Sequence, residues 1–286
     1  MCHTDEPLVN FDCKHWAFGG LIRRAGFTMV EPLTVVAVIM ILVSLILPVS
    51  ARAKRKAYEI ECVSNMAQLD RLMRIESLGT GSEWFEFRNQ MTWIVDYNAP
   101  SMPSICPAAP VRIEKGEPTF AWGSVNKAWE FPASEEALAP YESYESPPKG
   151  VERRNGSYAL NGYVWRHPTI EGISSAPFFS ADSDADHPSR LPLLADGTFP
   201  VGAVGNGDQP PRDLVAGSPG IGHFAVPRHG SVPAKIPRDH PPEKKLPGAI
   251  NVVFFDGHIA SVKLDDLWGL YWFKGYEPPL KRPGLK

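Results

Sequence analysis

The chain has 286 residues, 43% of them hydrophobic, with a formal charge of −3 and a pI near 6.3. That apolar content argues against a disordered chain, and the charge argues against a nucleic-acid binder, which would carry a strongly basic face. The length accommodates a membrane span plus one or two compact domains, and 29 Pro and 24 Gly make everything beyond the span rich in loops and short strands.

The first feature in chain order is the apolar run that follows Phe27. From Pro32 to Val49 there is no charged residue, and only Thr34 and Ser44 interrupt the apolar character. At a rise of about 1.5 Å per residue, Phe27 to Pro48 spans roughly 33 Å as a helix, enough for a hydrocarbon core of about 30 Å. A secretory signal fits less well: its apolar region runs about 7 to 15 residues and ends at a small-residue site, which Ser50 and Ala51 imitate only weakly. Glu31 stands at the head of this run, where lipid disfavours a carboxylate that has no partner.

Arg23, Arg24, Ala25, Gly26, Phe27, Thr28, Met29, Val30 and Glu31, followed by the apolar run, resemble the processing motif of type IV pilins and type II secretion pseudopilins. The resemblance implies that a prepilin peptidase cuts on the cytoplasmic face between Gly26 and Phe27 and methylates the new N-terminus at Phe27. The mature chain would have 286 − 26 = 260 residues. It also implies a role for Glu31 in assembly, paired with the N-terminal amine of a neighbouring subunit. Pairing two charges in a low dielectric favours docking in one axial register. A glycine before the cut leaves the scissile backbone open to the peptidase. Pro32 departs from the leucine usual in the family, and proline is tolerated in a first helical turn. Pro48 is expected to kink or locally melt the helix.

Charge counting gives the opposite orientation. Lys14, Arg23 and Arg24 balance Asp5, Glu6 and Asp12 before the span, whereas Arg52, Lys54, Arg55 and Lys56 follow it. The processing motif requires a cytoplasmic leader, so it sets the expectation: a single-pass inner-membrane protein with most of its chain extracytoplasmic. The basic cluster at 52–56 reads as a solvated helix face or a contact with lipid head groups.

Beyond the span, Ala53, Ala57, Ile60, Val63 and Ala67, joined by Leu69, Leu72 and Met73, recur at helical spacing, and Gly79 and Gly81 end the pattern. The two halves make one helix of about 50 residues, roughly 75 Å long. Strand candidates follow at Trp84–Phe87, Thr92–Tyr97, Ser157–Trp165 and Arg190–Val201, with an irregular Pro-, Glu- and Ser-rich excursion over 99–148. LLADG and VFFDG look like two strand-to-turn junctions. In 248–268, two apolar runs flank Asp256 and Gly257, which predicts a β-hairpin closed by a type I′ turn.

Arg228, His229 and Gly230, followed by Asp256 and Gly257, resemble the processing-associated C-terminal motif of a large set of prepilin-like proteins: a His, nine residues, then Asp-Gly. Here 256 − 229 − 1 = 26 residues intervene, as if a Pro- and Lys-rich insertion filled the gap. The expected fold class is α+β and pilin-like: a long N-terminal helix, transmembrane then amphipathic, packed on a small antiparallel sheet with long irregular loops. The expected organisation is a leader at 1–26, the helix at 27–79 and a loop-rich β domain at 80–286.

Candidate chemistry is sparse. His223, His229, His240 and His258 invite a metal, yet no H-x-x-x-H or C-x-x-C spacing supports one. Asp182, Asp184 and Asp186 offer oxygens to Ca²⁺, but an EF-hand would need glycine and glutamate where His187 and Leu193 stand, so a polar loop is the plainer reading. No cofactor is assigned. No nucleophile elbow, phosphate loop or dinucleotide fingerprint occurs, and the chain does not read as an enzyme. Once a leader carrying Cys2 and Cys13 is removed, Cys62 and Cys106 remain. In an oxidising compartment these are either a disulfide or two buried free thiols. The resemblance implies a structural subunit of a secretion or pilus-like system, its partners being prepilin peptidase, other pilin-like subunits and the membrane. The alternative is a membrane-tethered extracytoplasmic binding protein that never polymerises.

Overall fold

The structure is a computed structural model that describes residues 29–80, 103–111, 122–132, 153–164, 179 and 185–286. Gly26, Phe27, Asp182, Asp184 and the strand candidates at 84–87 and 92–97 lie outside the described residues. The chain divides into two compact units, one ending at Ser50 and one beginning at Ala51.

The first unit holds the start of helix α1 (Val30–Thr80). This is the one described helix long and apolar enough to cross a membrane. Leu33, Val36, Ile39, Ile46 and their large apolar neighbours are all exposed within the chain. An apolar surface of this extent calls for lipid or a protein partner. The two hydroxyls in the run satisfy themselves locally: Thr34 Oγ1 donates to the Glu31 carbonyl at 2.8 Å and Ser44 Oγ to that of Ile41 at 2.7 Å. Neither then carries an unmet donor into an apolar medium. The helix continues through Pro48 rather than melting there.

The second unit is an α+β assembly around a five-stranded sheet. Its strands are β3 (Tyr158–Asn161), β4 (Pro192–Asp196), β5 (Val201–Gly202), β6 (Ala249–Phe254) and β7 (Ile259–Lys263), in spatial order β5-β3-β4-β6-β7. The sheet is mixed rather than wholly antiparallel. After β4 the chain crosses to the far edge of β3 and lays β5 parallel to it, Leu160 opposite Val201. A separate pair, β1 (Trp129–Pro132) with β2 (Arg153–Gly156), places strand structure inside the stretch expected to be irregular. Arg-Arg-Asn-Gly has no strand signature. It pairs there because Gly156 lies under the Trp129 ring, where a Cβ would come within 2.0 Å of a ring carbon.

Strand alternation sends side chains to opposite faces. On one face Tyr158, Leu160, Leu194 and Val253 meet Cys62, Met66, Leu69 and Met73 of α1. On the other, Ala159, Ala195, Ile250, Val252 and Phe254 pack under Phe224, Trp268 and Trp272. The buried stripe of α1 matches the expected one only in part: Leu69 and Met73 take the sheet as expected, but Ala53, Ala57 and Ile60 are exposed, and Cys62 and Met66 are buried in their stead. Asn161 fastens the end of β3 by donating to the carbonyls of Pro192 at 2.9 Å and Trp272 at 2.7 Å.

The 248–268 segment forms the expected hairpin, with Val253 opposite Ile259. Its turn differs. Phe254 N–H donates to His258 O at 2.9 Å and Gly257 N–H to Phe254 O at 2.8 Å, with Gly257 at φ 91°. This is a three-residue loop closed by a left-handed glycine, not a two-residue type I′ turn. Asp256 favours it by accepting from the His258 backbone N–H at 3.1 Å and contacting His258 Nδ1 at 2.6 Å.

Candidate functional site

Four separate segments deliver ligand-type side chains to one point on the α1 side of the sheet. Cys62 comes from α1. Cys106 comes from the 103–111 loop, which is held by Asn65 Nδ2 donating to Ile105 O at 3.0 Å and Ser157 Oγ donating to Ala109 O at 2.6 Å. Asp196 ends β4 and faces Tyr158 across the β3–β4 register. His229 forms an isolated antiparallel bridge with Ala249 at the start of β6.

All four side chains are buried, and their ligand atoms lie within 4.8 Å of one another. Cys62 Sγ is 3.5 Å from Asp196 Oδ1, Cys106 Sγ is 3.4 Å from His229 Nε2, and His229 Nε2 is 3.2 Å from Asp196 Oδ2. Asp196 Oδ2 also accepts the Asn251 backbone N–H at 2.8 Å. Cys62 and Cys106 are free thiols.

Arg228 is the buried counter-ion. Its Nη1 lies 3.6 Å from Asp196 Oδ1 and also reaches the Ser157 carbonyl, while Nη2 donates to Gly197 O at 2.6 Å and Ser124 O at 3.0 Å. A charge out of water persists only with partners of this kind. A cavity of about 360 Å³, lined in part by Arg52, Arg55, Lys56, Arg228 and His229, borders the cluster.

The electrostatics follow from the packing. Burial alone would raise the Asp196 carboxyl, but the His229 and Arg228 charges outweigh it and hold the group below its ordinary range. Burial alone would lower His229, yet the Asp196 charge and hydrogen bond push it up to about 10. Burial pushes the Cys62 thiol well up. The hydrogen bond from Cys62 brings Cys106 down to about 6 in spite of burial. The site thus separates two adjacent thiols into a protonated donor and a thiolate-prone acceptor.

Of the residues singled out in the sequence, the structure joins Cys62, Cys106 and His229. Glu31 stands in the first turn of α1, in the other unit. Asp186 is exposed. The His229 of the C-terminal motif pairs with Asp196, whereas Asp256 pairs with His258 in the hairpin turn. His223 packs in a three-ring cluster with Trp122 and Phe199, its ring centroid 5.0 and 5.2 Å from theirs. His240 contacts the Lys244 carbonyl at 3.3 Å.

Asp196 and Asn251 are the site residues that spacing could not reveal, because their partners are distant in sequence; Arg228 enters the sequence motif only as the neighbour of His229. The available signal was the twin string: LLADG repeats VFFDG, and the first of its two aspartates is the one that meets the histidine. No family model matches the chain, and no curated protein or solved structure matches it.

Proposed function

We propose that the chain is a pseudopilin-like subunit. It inserts with its leader in the cytoplasm, is cut between Gly26 and Phe27, is methylated at Phe27, and assembles laterally through the apolar half of α1 while the β unit stands outside the membrane. The observation that carries this reading is the run from Val30 to Val49, apolar on all sides and exposed within the chain, with Glu31 as its one charged residue. An apolar surface like this must be covered by lipid or by copies of itself. Glu31, in the first turn, is the residue that would pair with the amine of a neighbouring Phe27. In the same reading the α+β fold is pilin-like, and the role is structural rather than catalytic.

Mass analysis of the mature N-terminus tests processing: a chain beginning at methylated Phe27 is expected, and one beginning at Met1 or beyond Pro48 overturns the reading. Assembly is tested with Glu31→Ala, which should leave cleavage intact while abolishing recovery in sheared filaments or secretion complexes. Unchanged recovery would instead favour a tethered binding protein that uses the same processing.

A further inference from the structure

We propose that Cys62 Sγ, Cys106 Sγ, Asp196 and His229 Nε2 form a closed tetrahedral site for a thiophilic divalent cation, zinc by its donor set, which fastens α1 to the sheet. The inference does not rest on the assembly reading.

Geometry carries it. Ligand bonds of about 2.0 Å to nitrogen or oxygen and about 2.3 Å to sulfur require tetrahedral donors to stand about 3.3 to 3.8 Å apart. The edges measured here are 3.2, 3.4 and 3.5 Å, and every donor pair falls within 4.8 Å. Small movements of four side chains would centre them on one ion. Two sulfurs, an imidazole nitrogen and a carboxylate oxygen match zinc's preferences, and four protein ligands leave no open position, as in structural rather than catalytic sites.

The surroundings fit as well. Zinc with two thiolates, one carboxylate and a neutral imidazole carries one negative charge, and the buried Arg228 guanidinium 3.6 Å from Asp196 supplies one positive charge. Among the described residues, the Asn251 side-chain amide and the Tyr158 hydroxyl are buried without a partner of good hydrogen-bond geometry, and both border Cys62. A neutral thiol is a poor acceptor for such donors, and a metal-bound thiolate is a better one. Groups of this kind are the outer shell that orients metal ligands. Binding displaces the Cys62 thiol proton, the imidazolium proton on His229 Nε2 and any proton left on Cys106, and releases them to solvent. A disulfide would use the two sulfurs alone and exclude the metal.

The test uses the untagged full chain, extracted in detergent without chelator. About one zinc per chain by elemental mass spectrometry is expected. Cobalt exchanged into the site should give intense tetrahedral d–d bands and sulfur-to-cobalt charge transfer. Cys106→Ser and His229→Gln should each weaken retention at least about tenfold, while His258→Gln, at the hairpin turn, should not. A chain that holds no zinc and gives no charge-transfer band overturns the proposal, as does an intact mass two hydrogens light from a Cys62–Cys106 bond. Should the variants fail to fold, the cobalt spectrum and thiol count of the unaltered chain still decide.

Discussion

His229 Nε2 lies 3.2 Å from Asp196 Oδ2, with both side chains sealed from solvent. The partner of the motif histidine is thus the aspartate of LLADG, not the one of VFFDG. A double-mutant cycle of His229→Gln with Asp196→Asn should show a coupling of about 1 to 3 kcal/mol in urea unfolding, because the buried pair loses its second partner only once. The same cycle with Asp256→Asn should be additive within about 0.5 kcal/mol. Coupling to Asp256 instead would place the histidine wrongly.

The acid limb of stability should belong to His223. Burial among Trp122 and Phe199 lowers its pKa to about 4, so the unfolded chain binds the proton more readily than the folded one between about pH 6.5 and 4. The His223 contribution to stability is then full above pH 6.5, falls as pH drops through that window, and levels off below it. The slope approaches about 1.4 kcal/mol per pH unit at most. Thermal unfolding from pH 7.5 to 4 is expected to show this, and His223→Phe should flatten the curve. An unchanged acid limb in that variant would assign the effect elsewhere.

The two Asp-Gly steps look alike in sequence and differ in why glycine is there. Gly257 needs its positive φ and has room, since a Cβ would stand 3.5 Å from Arg74 Nη2. Gly197 is at a close approach: a Cβ would come within 2.3 Å of Ala159 Cβ between β3 and β4. Gly257→Ala should therefore cost about 1 to 2 kcal/mol, the left-handed penalty. Gly197→Ala should cost more, because neither strand can yield without moving Asp196 and the Gly197 carbonyl that Arg228 grips. Chemical denaturation of the two variants, ranked against each other, checks the order.

What sequence could reveal divides along local and non-local lines. The apolar span, the helix ending beside Gly79 and the 248–268 hairpin rest on periodicity and turn chemistry within one segment, and the structure shows all three. The two-strand pair at Trp129–Pro132 and Arg153–Gly156 depends on one aromatic ring lying over a distant glycine. The cluster depends on a helix, a loop, a strand end and a bridge meeting, so no spacing rule for metals or disulfides could register it.

The helix face shows the same limit: the expected stripe shares Leu69 and Met73 with the observed one, and the two part at Ile60, expected, and Met66, observed. Counting aliphatic residues favoured the first, but the sheet presents Tyr158, Leu160 and Val253 to a surface that unbranched sulfur side chains fill well. Met66 is fully buried and Ile60 is 62% exposed. Met66→Ala should destabilise the β unit by about 2 to 5 kcal/mol, through lost transfer energy and the cavity left behind. Ile60→Ala should stay within about 0.5 kcal/mol. Urea midpoints of the full chain in detergent measure both, and a reversal of that order would put the other face of α1 against the sheet.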